Sequence, residues 1–545
     1  MILVNLKKFC CGALLSGLAL IAQPAVGQDA SLKSTLTATN VAEQIVLRGQ
    51  EYEQQGMWAD ALSLYQQALK TSPNDQSLLK RRNLARIHYD LGRRNADSSF
   101  VDQVKRTDAR IAEGIYSEVL LKVQAYYVDE PDWHQIAQFG LTSLKVALES
   151  EEFRSSHLQG QSLDGIAAAF TKLADSLRNT SVRQRSDANW VASHAASELK
   201  KSINLQPSAT YFEFICGAIS ALDPYSAFLS DNQYAETMSQ IEGNFVGLGV
   251  ELKTLSETLE LVSVIPGGPA EKGGLRAGDH IIAVDSSSVQ EFGSEKVADL
   301  LRGEEGSYVR VAFVRGNDQP RTLLLQRRRV EIPSVDGVAM VDELNGVGYI
   351  RLTNFQKTTV RDFDAALWQL QRQGMRSLII DLRGNPGGLL TASVEIADRF
   401  VGSGVIVATK GRNPLEDFTH RAQLAGTWRM PVAILVDENS ASASEILAAA
   451  IREHQRGTIV GTQSYGKGSV QGIFPLNISG GGVRLTTAKF YGPSGNSVNQ
   501  VGVKPDVAIQ TVAKPAVDGQ NSNESDTALQ TAIRLVRQNN QLSSK

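Results

Sequence analysis

The sequence predicts a multidomain α+β protein in which a helical N-terminal region leads into a β-rich domain and then an α/β core. Three observations carry that reading. Small and apolar residues recur at helical spacing from about residue 42 to Gly217. Between 238 and 332 the texture changes to short apolar runs separated by glycine turns. From Gly346 onward, apolar runs alternate with helical patterns, the order that builds a largely parallel sheet with active-site loops at the carboxyl ends of its strands.

A chain of 545 residues divides into several domains at about 100–200 residues each. Hydrophobic content of 42% with 21% charge is ordinary globular composition. The net charge of −3 argues against nucleic acid or an anionic membrane as a principal partner. Nothing in the composition points to a cofactor, and neither a metal nor an organic group is expected.

At the N-terminus, Lys7-Lys8 precede an apolar run from Phe9 to Ala22 and the small residues Ala25 and Gly27. This order describes a secretory signal over 1–27, with export across an inner membrane to a periplasm as the expected destination. The run is short of the ~20 apolar residues that a spanning helix needs. No other stretch is apolar enough to span, so no stable membrane span is expected after cleavage. Cys10 and Cys11 fall within the signal. Cys216 is then the only cysteine, without an intramolecular disulfide, and its apolar neighbours predict a buried thiol.

The segment 40–100 places Gly49, Tyr52, Ala61, Tyr65, Ala68 and Pro73 in an order that resembles one tetratricopeptide repeat, and Asn83 to Gly92 looks like the first helix of another. One and a half repeats are fewer than the ~3 usually needed for stability. The segment is therefore expected to pack on its neighbours, on an adaptor or on a second copy; a plain helical hairpin is the alternative. Residues 101–237 continue as a helical region leading into the core. His134, His157 and His194 lie at no metal-ligand spacing.

The block 238–332 predicts strands at Leu259 to Ile265, Ile281 to Val284, Val309 to Val314 and Arg321 to Leu325, with a helix around Ser294 to Leu301. With GGPAEKGGLRAGDHIIAV behind it, Gly247-Leu248-Gly249-Val250 resembles the carboxylate-binding loop of a PDZ domain. Glycine suits that loop because consecutive backbone N–H groups must turn inward to hold a terminal carboxylate, while the peptide adds as a strand beside the next edge.

The core, 333–512, reads as strand Gly346 to Leu352, helix Phe363 to Leu370 with Gly374 as its stop, strand Ser377 to Leu382, the turn Arg383 to Gly388, a helix to Phe400, strand Val405 to Ala408, and then MPVAILVDENSASASEILAAAIREHQRGTIVGTQSYGKGSVQ. In that last stretch, strand Val432 to Val436 turns at Asp437 into a helix ending near His454. A serine at a helix N-terminus and Lys467 between two glycines can make a nucleophile and its base. Taken alone, Ser442 with Glu445 is a capping box and Lys467 a turn lysine. After Asp506 a polar linker leads to a short amphipathic helix, Thr527 to Val536, within 513–545.

DLRGNPGG, SASASEI, GKGSVQ, the earlier DPYSAFL and the later LTTAKFYGPSGNSVNQVGVKPDV, with a PDZ-like block between, are similar to the carboxyl-terminal processing peptidases, the tail-specific Ser/Lys serine peptidases of family S41. The resemblance spans about residues 105 to 512. It implies an α/β (ClpP/crotonase-like) protease core with Ser442 as nucleophile, Lys467 as general base and Gln471 as the residue orienting the lysine. The oxyanion hole would be the backbone N–H of Ala443 with that of Gly387 or Gly388. Asn496 departs from the family, where a basic residue is commoner, and leaves a substrate-side contact open.

The implied substrates are proteins or peptides with exposed carboxyl termini. For Lys467 to serve as base it must be buried and free of carboxylate partners, so that its pKa falls from ~10.4. A histidine base is the rival: His454 lies ~18 Å along the helix from Ser442, while His280 and His420 sit in no matching motif. Two other readings stand beside the protease: a non-catalytic adaptor, and a latent protease switched on by a partner at the N-terminal helices.

Overall fold

The computed structural model describes residues 43–255, 258–293, 297–298, 300–423, 428–509 and 526–543. The expected signal and the linker after Ile509 lie outside the described residues.

The α/β core rests on a six-stranded sheet in sequential order: Val335–Asp342, Val347–Leu352, Ser377–Asp381, Val432–Val436, Gly457–Gly461 and Val507–Ala508. The first pair is antiparallel and every later pair is parallel. Ser377–Asp381 and Val432–Val436 are buried along their whole length, as strands covered on both faces must be. One face is covered by the helices Thr359–Arg372, Leu390–Asp398 and Ala443–Glu453, whose apolar stripes meet in one cluster around Phe363, Ile396, Ile434 and Leu447. The other face is covered by the C-terminal helix Thr527–Ser543, which sets Ala528, Leu529, Ala532, Ile533 and Val536 against Val347, Ile379, Leu435 and Val460.

One strand does not belong where the alternation suggested. Val405–Gly411 lies in a second sheet, antiparallel to the long strand Gly482–Tyr491, which also pairs with Ala227–Leu229 and Ser469–Pro475. The ten-residue Gly482–Tyr491 is long enough to pair with Ala227–Leu229 near its start and Val405–Gly411 near its end.

The helical layer packs on this second sheet. Its centre is the helix Pro207–Ser220, buried almost all round, with Phe212 and Phe214 joining Tyr116, Leu144 and Leu199 in a cluster that extends to Leu476, Val483 and Leu485. The described chain opens with helices over 43–54, Trp58–Thr71 and Gln76–Ala96. Gly49 lies against the Tyr65 ring so closely that a Cβ there would fall 2.2 Å from it.

In the β-rich domain the helix Asp231–Glu242 runs through residue 238 and stops at Gly243, with φ +75°. Strand Asn244–Gly247 then pairs with Arg328–Glu331, closing the domain on itself. A sheet of Val250–Thr254, Leu259–Val264, Asp279–Val284, Tyr308–Arg315 and Arg321–Gln326 forms the rest, with Val250–Thr254 at its edge. Part of the helix expected around Ser294 to Leu301 lies outside the described residues.

Candidate active site

Two loops leave the carboxyl ends of adjacent parallel strands and meet, as the topology requires. After Asp381 comes Arg383 to Gly388; after Val436 comes Asp437 to Ser442. Gly384 N–H donates to Asp437 Oδ1 at 2.9 Å, Ser440 Oγ to Leu382 O at 2.8 Å, and Ala441 N–H to Asn385 O at 3.0 Å. These bonds fix the end of the turn, and Ser442 emerges from it at φ +56° and ψ −111°, immediately before the helix Ala443–Glu453. A non-glycine residue held there costs of order 1–3 kcal/mol and persists only where its surroundings enforce it.

Gly387 faces this turn, and Gly388 beside it packs against Asn354 and Phe355. The φ values of Gly387 and Gly388, +103° and +138°, suit glycine, and a Cβ on Gly387 would lie 2.8 Å from Ser442 Cβ. Gly387 N–H is already donated to Asn385 Oδ1 at 2.9 Å. The N–H groups of Gly388 and Ala443 donate to no acceptor among the described residues. The helix N-terminus adds its positive potential beside them.

Lys467 lies on the loop that carries the chain from Gly457–Gly461 of the first sheet into Ser469–Pro475 of the second. Its glycine neighbours are needed because the chain at 499–502 presses on them: a Cβ on Gly468 would lie 2.4 Å from Asn499 N, and one on Gly466 3.1 Å from Gln500 C. The lysine is half-buried. Burial lowers its pKa, the nearby Arg484 lowers it further, and the carboxylates of Glu445 and Asp223 oppose both. No carboxylate lies within ion-pair distance of Nζ among the described residues; Glu445 and Asp223 act on it only at longer range, and desolvation prevails. Nζ sits 5.2 Å from the centre of the Tyr225 ring, and no hydrogen bond joins it to Ser442 Oγ.

Glu445 ties the two loops together. Its fully buried carboxylate accepts from Ser442 N–H (2.8 Å), Lys467 N–H (2.9 Å), Gly466 N–H (2.7 Å) and Ser464 Oγ (2.5 Å). Sequence reasoning placed Glu445 only in a capping box. The signal available was an acid followed by an unbroken apolar run, Ile446 to Ile451, which marks a buried carboxylate in need of several donors.

Gln471 is not joined to Lys467. Its amide nitrogen donates to Ser469 Oγ at 2.9 Å and Thr486 Oγ1 at 3.4 Å, because Gln471 stands opposite Thr486 in the ladder. The histidines lie elsewhere. His454 Nε2 is 2.7 Å from Val405 O at the far end of the helix; His280 and His420 sit in strands of the β-rich domain and the second sheet. Among the described residues no cluster of acidic, histidine or cysteine side chains is built to hold a metal. Cys216 is buried, and burial pushes its thiol up to about 12.

In the β-rich domain, the loop Gly247 to Val250 bends at Gly249, φ +78°. Leu248 O and Gly249 O accept from Ala270 and Ile265, whereas the N–H groups of Leu248 and Gly249 meet no acceptor among the described residues. The open edge of Val250–Thr254 follows directly.

Comparison with known proteins finds the peptidase family S41 model over residues 346–509 and a PDZ domain model over 260–315. The carboxy-terminal-processing protease of Bartonella bacilliformis is 34% identical over 59% of this chain and 74% of its own. The carboxyl-terminal-processing protease of Synechocystis is 33% identical over 58% and 74%. Among solved structures, the photosystem II D1 C-terminal processing protease is 28% identical over 73% of this chain and 93% of its own, with a TM-score of 0.38.

Proposed function

Because this chain belongs to peptidase family S41 and carries a PDZ domain, we propose that it cleaves protein substrates near their carboxyl termini, with Ser442 as nucleophile and Lys467 as general base. The observation that carries the proposal is the shared grip of Glu445 on both residues, one at a strained helix entry and the other on a partly desolvated loop.

Neutral Lys467 takes the proton of Ser442 Oγ as it attacks the scissile carbonyl, then gives it to the leaving amine. Water resolves the acyl-enzyme by the same route in reverse. The N–H groups of Ala443 and Gly388 receive the oxyanion, since that of Gly387 is committed to Asn385; one such donor is worth about 10²–10³ in rate. Lys467 Nζ, which lies over the Tyr225 ring, must hydrogen-bond Ser442 Oγ to act as base, and Gln471, itself held by Ser469 and Thr486, is the residue assigned to orient it. The PDZ loop at Leu248 and Gly249 holds the substrate's terminal carboxylate and lays its tail along Val250–Thr254. Residues 1–27 support export to the periplasm. The close Gly49–Tyr65 packing supports the tetratricopeptide-like reading of 40–100 as a docking segment for an adaptor or a second copy.

The experiment is cleavage of one peptide with a free and with an amidated carboxyl terminus. Weaker turnover of the amide is expected. Equal turnover removes the PDZ loop from the mechanism.

A further inference from the structure

A cleft of about 810 Å³ separates the helices Trp58–Thr71 and Gln76–Ala96 from the helix Pro207–Ser220 and strand Ala227–Leu229. Pro224, Ser226 and Arg484 are part of its lining, and they flank Tyr225, whose ring carries Lys467 Nζ and whose carbonyl accepts from Arg484 Nε. Its volume suits several residues of an extended chain.

The charges on its wall are unevenly satisfied. Asp90 is paired with Arg86 at 3.5 Å and Glu236 with Arg302 at 3.0 Å. Asp97 is taken up by the amides of Ser99 and Phe100 and the side chain of Gln233. Two cations have no such partner. Arg484 gives its Nε to Tyr225 O at 3.0 Å and has no carboxylate within ion-pair distance among the described residues; the nearby Asp223 is occupied by the amides of Tyr225 and Ser226. Arg93 lies over the Tyr89 ring and is likewise unpaired among the described residues. Arg94, paired with Glu213, leaves a buried Nε without an acceptor. The wall therefore spends its acids internally and keeps guanidinium groups unanswered.

We propose that this cleft reads the substrate, taking an acidic stretch of the polypeptide whose carboxylates are met by Arg484 at the catalytic end and Arg93 on the helical wall. The proposal rests on the protease reading of Ser442 and Lys467. Guanidinium groups bind carboxylates through paired N–H donors, so an aspartate or glutamate is preferred there over its amide.

The test is fluorescence anisotropy with the full chain carrying Ser442→Ala, which binds without turnover. The probes are peptides with free carboxyl termini bearing a glutamate pair, or a glutamine pair, at successive positions. At one or more positions the glutamate peptide is expected to bind about tenfold more tightly. Arg93→Gln should narrow that gap, and Arg93→Glu should favour a lysine-bearing peptide instead. Equal affinities at every position, or a gap indifferent to both Arg93 variants, would overturn the proposal. Cleavage of the glutamine peptide by the wild-type chain is the separate readout. Its absence, with the binding gap intact, would remove the protease reading and leave an acidic-peptide site.

Discussion

The backbone N–H groups of Ser442 and Lys467 donate to one atom, Glu445 Oε2, at 2.8 and 2.9 Å. A carboxylate from the first turn of the helix thereby sets the Ser442 loop against the Lys467 loop. Glu445→Gln keeps the shape but turns an N–H₂ toward groups that are themselves donors. The expected result is a loss of about 2–3 kcal/mol in stability, measured by urea unfolding. Displacing the loops should also lower kcat by about 10²-fold with little change in KM.

The proposed mechanism uses Lys467 as the neutral amine, and burial followed by Arg484 holds its pKa below the usual lysine range. The rate constant kcat/KM should therefore rise with pH through that lowered value. Stability moves the same way. The folded chain holds this proton less tightly than the unfolded chain, so stability is depressed while both forms are protonated and rises as pH climbs from the folded toward the unfolded lysine pKa. Lys467→Met should be more stable than wild type at neutral pH, with the difference shrinking toward pH ~10.4. Thermal melts across pH check the sign, and a constant difference would contradict it.

The C-terminal helix is tied to the loop from Arg383 to Gly388 through charge. Arg383, fully buried, pairs with Asp381 at 2.6 Å and with Asp526 at 2.8 Å, and Asp526 also accepts from Leu529 N–H at the helix start. Asp526→Ala leaves a buried guanidinium short of one partner and removes the helix cap. A destabilisation of about 3 kcal/mol is expected in chemical denaturation. A cost within ±0.5 kcal/mol, the range of ordinary surface changes, would deny the clasp.

Much of this core was legible in the chain. Val432 to Val436 is a strand because it is apolar throughout and stops at Asp437, and Phe363, Ala366, Leu367 and Leu370 share a helix face and are all buried. Pairing was not legible. Val405–Gly411 reads as a strand, but its partner, Gly482–Tyr491, lies far along the sequence, and period-two patterning carries no partner information. The same limit applies to the site. Ser442 and Lys467 stand in recognisable motifs, whereas the Tyr225 ring beneath Nζ and the four-donor shell of Glu445 exist only after two sheets are brought together. The stripe of the C-terminal helix was visible, but the sheet face it covers was not.

That Ser442 is activated by Lys467 is tested by single-turnover cleavage of a peptide with a free apolar carboxyl terminus, using wild type, Ser442→Ala and Lys467→Ala. Both variants are expected to lose cleavage while retaining wild-type binding of the peptide. Turnover left intact by either substitution would contradict the dyad.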